Sequence, residues 1–271
     1  MGRVRVVAMR RVDRSVVLAC VGALGLGCAS HPDEGTVVEV APGISGVPGG
    51  DEGVIAKQAL PISGGTLAIS DAGMAVASDP DRDRVFLVEL ATRRVTPIET
   101  PHRAEPGRVV IDPSGRAHVA LRATGEVWSI DLSRREVFAT RSVCPAPRGL
   151  AYDSRLDALQ VACDTGELVT LPASGGSSTR SLFLGRDLRD VVVDGDAILV
   201  SKFRSAEVLT LDAEGQVVHT ARPAMSSPSS AGATLPGFEA SVAWRMVAAG
   251  DGRVVVAHQR ANPGQISIGP G

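Results

Sequence analysis

The sequence is poor in aromatic residues, which make up 3% of its 271 residues. Only two Trp and one Tyr could act as stacking platforms, so a carbohydrate-binding surface is disfavoured. After residue 28, no window of 12 or more residues shows a clean 3.6-residue apolar period, whereas short apolar runs bounded by Gly, Asp or Pro recur throughout. The apolar residues are mainly Val, Ala, Leu and Ile, which suit packed sheets. We therefore predict an all-β fold with almost no helix.

Basic residues do not outnumber acidic residues in this sequence. Without residues 1–28 the chain has 23 basic and 29 acidic residues, a net charge of −6, which offers no footprint for nucleic acid. There is no Gly-x-Ser-x-Gly elbow, no phosphate-binding loop and no His-Glu-x-x-His motif. These absences favour a binding or scaffold protein over an enzyme, although an enzymatic role stays open.

No metal site is predicted. Asp79–Asp83 begins like a calcium-binding loop, but Arg84 stands where Gly is needed and Leu90 where a bidentate Glu is needed. We interpret this segment as a solvated turn. The spacing of the four histidines that follow residue 53 does not suggest metal ligation. These are His102, His118, His219 and His258.

A repeat of about 41 residues dominates the chain. Each copy contains short apolar strands separated by polar turns, as expected for a four-stranded β-propeller blade. A single blade cannot bury both faces of its sheet, so the copies must stack around an axis. We predict a β-propeller with about five repeats, in which the ring is closed or incomplete. The copies begin at Leu67–Gly73, Val109–Gly115, Gly149–Ser154, Asp190–Gly195 and Met246–Gly252.

Residues 1–28 have the pattern of a lipoprotein-type signal peptide. A basic segment precedes the apolar run Ser15–Gly27, which is too short to span a bilayer. Leu24–Cys28 resembles a lipobox, although Gly25 replaces the usual Leu. We predict lipidation at Cys28 and a periplasmic or outer-membrane location, with ordinary signal-peptidase cleavage or a lipobox at Cys20 as alternatives.

Two further segments have little to bury. Residues 29–53 are rich in Gly, Pro and acidic residues and are predicted to form a flexible tether before a propeller domain at residues 54–271. Residues 222–237 are predicted to form a long surface loop between the fourth and fifth repeats. Val54–Ile62 reads like the strand that would close a five-bladed ring. The alternative, which we favour, is that the chain is a fragment, in which case an open arc with an exposed apolar blade face would remain.

Asp112–Gly115, entered through Pro106–Val110, resembles the repeat of YVTN-type, lactonase-like propellers. Val143–Asp153, Val161–Pro172 and Arg186–Val193 are similar to the propeller portion of secreted bacterial proteins joined to c-type cytochrome or di-haem-peroxidase-like modules. The resemblance implies two alternatives to a binding module. One is part of a haem redox protein, and the other is a lactonase-like hydrolase. No Cys-x-x-Cys-His motif occurs here, so we predict no cofactor in this chain and haem only with a missing C-terminal module.

Four arginines stand immediately before the first strand of a repeat, at spacings of 40, 41 and 56. Since first strands line the channel of a propeller, these side chains should meet at one mouth of the funnel. Converging guanidinium groups favour a carboxylate, a phosphate or a haem propionate, so we expect a protein or small anionic ligand there. Structural pairing with Asp153 or Asp190 is the alternative. The candidate residues are Arg108, Arg148, Arg189 and Arg245, with His258 close to the channel.

Only Cys144 and Cys163 are left after the leader and the lipidation site. Strands near residues 148–153 and 158–163 should form a hairpin that places Cys163 opposite residue 147, and Pro145 and Pro147 bend the chain so that Cys144 can approach it. In an oxidising compartment we predict a disulfide between them, with two buried thiols as the alternative.

Overall fold

A computed structural model describes residues 64–223, 229–230, 233–234, 237–250 and 253–262, together with strands at residues 4–10 and 38–39. These residues form strands and turns without any helix, so the described part of the chain contains no helix that could cross a membrane. The strands build five four-stranded antiparallel sheets and one two-stranded sheet. The predicted all-β class is confirmed.

Four of the sheets are blades whose strands follow one another in sequence. Blade 1 consists of Leu67–Ile69, Met74–Asp79, Arg84–Glu89 and Arg94–Glu99. Blade 2 consists of Pro106–Ile111, Arg116–Leu121, Glu126–Asp131 and Glu136–Ser142. Blade 3 consists of Pro147–Asp153, Ala158–Cys163, Glu167–Pro172 and Arg180–Phe183. Blade 4 consists of Leu188–Asp194, Ala197–Lys202, Val208–Leu211 and Val217–Ala221. The first strands of successive blades contact one another, so they surround the axis.

The fifth sheet, blade 5, is built differently. Its first two strands are Glu239–Gly250 and Arg253–Ala261, and Val4–Arg10 and then Val38–Glu39 pair beyond them. Val4–Arg10 belongs to the predicted leader, whose removal stays a prediction. The strand predicted at 54–62 lies outside the described residues. Within the predicted surface loop, Ser229–Ser230 pairs with Ala233–Thr234.

Each junction between neighbouring blades is an apolar cluster. The first-strand residues Val109, Leu150 and Val191 are buried and occupy equivalent places in blades 2, 3 and 4, each packed against the preceding blade. Met246 takes the same place in blade 5. Since these apolar positions recur with the repeat, one face of every blade is built to receive its predecessor.

A buried hydrogen-bond chain stiffens blade 2. His118 donates from Nε2 to Asp112 Oδ2 at 3.1 Å and accepts at Nδ1 from Ser129 Oγ at 2.8 Å. Arg141 in turn donates to Ser129 Oγ at 2.6 Å. Burial raises the pKa of Asp112, but the hydrogen bonds from His118 and Arg116 outweigh this and hold that pKa at about 2. Burial also lowers the pKa of His118.

Asp, His and Ser in contact can suggest a catalytic triad, but blade 3 shows a structural role for these positions. There, Gln160 donates to Asp153 at 3.5 Å and accepts from Thr170 at 2.9 Å. Glutamine cannot act as a general base, yet the same chain forms. Asp112, His118 and Ser129 are buried as well, so the chain serves to satisfy polar groups inside blades 2 and 3.

The predicted disulfide between Cys144 and Cys163 is confirmed, with Cα atoms 6.3 Å apart. The hairpin also has the predicted register, because Pro147 lies opposite Cys163. The bond ties the segment that enters blade 3 to the second strand of that blade. In the chain-entropy model, closing a loop of this length stabilises the fold by about 3 kcal/mol.

We predict that His118→Gln flattens the pH dependence of stability between pH 7 and 5. Because the folded pKa of His118 is lowered, the unfolded chain takes up a proton below its ordinary pKa of 6.5 that the folded chain does not, so stability falls with falling pH. Glutamine, already accepted at the equivalent Gln160, removes this proton uptake. Urea unfolding at several pH values measures the slope. An unchanged slope in the variant would contradict the assignment.

Candidate functional site

The first strands of blades 2, 3 and 4 each carry a β-bulge near the axis. Pairing shifts between Pro147 and Gly149 and again between Leu188 and Asp190, so Arg148 and Arg189 are the extra residues of their bulges. A bulge changes the direction of a side chain relative to the regular strand. In blade 5 the corresponding extra residue is Trp244.

The register divides the four predicted arginines into two sets. In blade 2 the shift falls between Pro106 and Val109, which makes Gly107 the equivalent of Arg148. Arg108 and Arg245 instead occupy the next position, which Gly149 and Asp190 hold in blades 3 and 4. A displacement of one residue sends a strand side chain to the opposite side. The four arginines therefore occupy two kinds of strand position, although the charge of Arg189 still lowers the pKa of the buried Arg108.

Arg108, Asp190 and Arg245 form the axial cluster. The Arg108 guanidinium donates to Asp190 Oδ1 at 2.8 Å, and Arg245 donates to Asp190 Oδ2 at 2.8 Å. The backbone N–H groups of Val191 and Met246 donate to the same carboxylate at 3.0 and 2.7 Å. Asp190 is buried, and Arg108 is only 6% exposed. For Arg108 and Arg245 the structure therefore shows the alternative considered from the sequence, a structural pairing with Asp190.

Arg108 reaches beyond its own blade in two directions. Its second terminal nitrogen donates to the Gly64 carbonyl at 2.9 Å, at the entry to blade 1, while Asp190 lies on blade 4. Burial lowers the pKa of Arg108 to about 10, with opposition from Asp190, so the side chain remains charged at neutral pH. The axial cluster thus connects blades 1, 2, 4 and 5.

At the corresponding position blade 3 has a glycine, Gly149, which lies against blade 4. A Cβ atom at Gly149 would lie 2.8 Å from the Cα atom of Asp190, closer than real contacts allow. Glycine therefore lets the first strands of blades 3 and 4 approach closely beside the axial cluster.

Arg148 and Arg189 form a second arrangement, the basic mouth. Burial lowers the pKa of Arg189, and the positive charges of Arg148 and Arg122 lower it further, while the carboxylates of Asp190 and Asp164 oppose the shift. These charged groups therefore lie within electrostatic reach of one another. Arg122 pairs loosely with exposed Glu105 at 3.5 Å. In the part of the chain that the structure describes, Arg148 and Arg189 have no hydrogen bond or ion pair to a carboxylate. The mouth therefore concentrates positive charge.

Two aromatic rings hold Arg189 in place. Its guanidinium carbon lies 4.9 Å from the ring centroid of Phe203 and 5.6 Å from that of Trp244. The rings meet edge to face, with centroids 5.9 Å apart. Stacking on an aromatic face leaves the N–H groups of a guanidinium available in its plane. Trp244 is 44% exposed, so the site is open to solvent on this side.

The other predicted site features lie elsewhere. His258 is buried on the second strand of blade 5, opposite Ala243, and its Nδ1 atom contacts the Gln259 carbonyl at 2.8 Å. Asp79 begins the turn between the second and third strands of blade 1, where it accepts from the backbone of Arg82, as predicted for a solvated turn. Among the described residues no group of three His, Cys, Asp or Glu side chains could hold a metal ion.

The sequence indicated Arg148 and Arg189 but not their aromatic neighbours. Phe203 and Trp244 come from loop and bulge positions whose proximity depends on the packing of blades 4 and 5. The division of the arginines did leave a signal: the spacing from Arg108 to Arg148 is 40, one short of the 41 that separates Arg148 from Arg189. Two full periods of 41 residues after Arg108 lead to Asp190, so the repeat places Arg108 at the position of Asp190 and not at that of Arg189.

Comparisons with solved structures agree with this architecture. The chain is similar to hydrazine synthase of Kuenenia stuttgartiensis, with a TM-score of 0.62 and 20% identity over 79% of this chain and 60% of that chain. It is also similar to a streptogramin B lyase, with a TM-score of 0.57 and 11% identity over 72% of this chain and 62% of that chain. The fold is a β-propeller.

A third similar structure is Sqt1 of Saccharomyces cerevisiae, with a TM-score of 0.52 and 11% identity over 69% of this chain and 56% of that chain. The chain thus spans 60% of the hydrazine synthase chain and 56% of Sqt1. No family model matches the sequence, and no curated protein matches it. At these identities the similarity concerns the fold and leaves the function to the site.

We predict that Asp190→Asn lowers the free energy of unfolding by about 3–5 kcal/mol, because it leaves the buried Arg108 charge uncompensated. Urea unfolding measures the loss. Asp194→Asn, on the same strand but partly exposed, is the matched control and should change stability by no more than about 0.5 kcal/mol. Equal effects of the two substitutions would show that the axial cluster has no special structural role.

Proposed function

We propose that this chain is an extracytoplasmic binding module that holds an acidic ligand at the basic mouth. The supporting observation is that Arg148 and Arg189 lie near each other at the funnel, and neither forms a hydrogen bond or ion pair with a carboxylate among the described residues. Two like charges held close together repel each other, and an anion placed between them relieves that repulsion. A small anion or an acidic side chain of a protein partner meets this requirement.

The geometry favours a carboxylate or phosphate as the group recognised. Guanidinium groups bind both in a two-pronged manner, and Phe203 and Trp244 restrict Arg189 before the ligand arrives. A side chain that is already ordered loses less conformational entropy on binding. A haem propionate belongs to the same chemical class, but it would reach this site only from another module or protein.

We further propose that the module is exported and attached to a membrane through a lipid on Cys28. The lipobox-like Leu24–Cys28 supports the anchor. The disulfide between Cys144 and Cys163 supports export, because such bonds persist mainly in oxidising compartments. A periplasmic or outer-membrane location follows, with the propeller joined to its anchor by residues 29–53.

The double substitution Arg148→Ala and Arg189→Ala should weaken binding of pyrophosphate or citrate at least tenfold, because both recognising charges are lost. Titration of the native protein by calorimetry gives the affinity, and near-ultraviolet circular dichroism checks that the fold survives. The matched control is Arg93→Ala with Arg94→Ala, which removes the same charge from an exposed turn and the strand start that follows it in blade 1.

Binding that is unaffected by the mouth substitutions, or weakened equally by the control pair, would contradict the proposed site. Unfolding of the mouth variant would show that Arg148 and Arg189 are structural ties, and the site hypothesis would then fail.

A further inference from the structure

A pocket of about 560 Å³ lies between the outer parts of blades 2 and 3. This interblade pocket is lined by residues 139–142, 171 and 176–178. One wall is the fourth strand of blade 2, and the other is the end of the third strand of blade 3 with the turn that follows it. Because the basic mouth is built on first strands near the axis, the interblade pocket is a separate site.

Arg141 is buried in the wall of this pocket without an opposite charge. It is 9% exposed, and it alone carries a charge among the described residues that line the pocket. Its guanidinium donates to the Pro172 carbonyl and to Ser129 Oγ, both at 2.6 Å. These acceptors are neutral, and in the described part of the chain Arg141 has no ion pair with a carboxylate. Its Nε–H group is buried there without an acceptor.

The charges around Arg141 do not compensate it. Burial lowers the pKa of Arg141, and the positive charge of Arg116 lowers it further. Asp112, at the other end of the same hydrogen-bond chain, is already paired with Arg116 at 2.5 Å. Since a guanidinium stays charged in a protein, burying one without an anion is costly.

A connection between neighbouring blades does not by itself require such burial. Arg180, on the fourth strand of blade 3, donates to the Ala213 carbonyl of blade 4 at 3.3 Å and so makes a similar connection. Its side chain is only partly buried, so water compensates its charge. The burial of Arg141 beside a pocket therefore needs a further explanation.

We propose that the interblade pocket binds an oxyanion, either a free anion or the anionic group of a small polar molecule, with Arg141 as its charged anchor. The protein uses two of the five N–H groups of this guanidinium, and remaining N–H groups can donate to the ligand. Thr140, Ser142, Ser177 and Ser178 are exposed at the pocket and offer hydroxyl groups for further hydrogen bonds. No acidic side chain among the described lining residues would repel the ligand.

A titration followed by the backbone amide signals in nitrogen-15 NMR spectra tests this proposal, because it distinguishes the interblade pocket from the basic mouth. Inorganic phosphate should shift the amide signals of Gly176, Ser177 and Ser178 in a saturable manner. Glycerol 3-phosphate should bind more tightly than phosphate if the ligand is a larger polar molecule, and equally if it is a free anion. Arg141→Met should raise the dissociation constant for phosphate at least tenfold.

Ser178→Asp tests the same site while leaving the hydrogen bonds of Arg141 in place, so it decides the matter alone if Arg141→Met does not fold. Its added carboxylate at the exposed rim should repel phosphate and raise the dissociation constant about tenfold. Ser174→Asp is the matched control, because it adds the same charge to an exposed residue of the same turn that does not line the pocket. It should bind phosphate almost as the native protein does.

Amide shifts that rise linearly with phosphate concentration, without saturation, would overturn the proposal. Saturable shifts that persist in both Arg141→Met and Ser178→Asp, or that are weakened equally by Ser174→Asp, would overturn it as well. Arg141 would then be a structural connection between blades 2 and 3.

Discussion

Three charged side chains at the axis decide how the blades are arranged. Asp190 accepts hydrogen bonds from Arg108 and Arg245 and from two backbone N–H groups, all inside the protein. A buried carboxylate with fewer partners would be costly, and so would a buried guanidinium without one. Since the partners come from different blades, the full set forms only when these blades stand in their correct relative positions. The apolar clusters between neighbouring blades supply most of the burial, and the axial cluster adds a constraint on geometry.

The axial cluster also explains why a basic mouth can exist beside it. Arg108 and Arg245 at one strand position turn inward and share the Asp190 carboxylate, while Arg148 and Arg189 occupy bulge positions one residue earlier and keep their charge available. Glycine at position 149 lets the first strands of blades 3 and 4 approach closely, and the rings of Phe203 and Trp244 support Arg189. A difference of one strand position thus separates the structural arginines, Arg108 and Arg245, from Arg148 and Arg189, for which we propose a binding role.

Much of this architecture could be predicted from the chain alone. The period of 41 residues identifies the blades because apolar positions must recur wherever one sheet packs on the next. The disulfide was predictable because hairpin register and proline positions place Cys144 near Cys163. The axial cluster was harder to predict, since it joins residues 82 positions apart across an intervening blade. The aromatic support of Arg189 was not predictable, because bulges and loops set its direction and neither follows from apolar periodicity.

The coupling between Arg108 and Asp190 is the quantity on which this account depends most. A double-mutant cycle with Arg108→Met, Asp190→Asn and the combined variant, followed by urea unfolding, isolates that coupling from the other effects of each substitution. If the pair fixes the blades around the axis, the coupling free energy should reach about 2 kcal/mol or more, near the upper part of the range for contacting residues. A value below about 0.5 kcal/mol, as found for independent sites, would show that the axial cluster does not hold the propeller together.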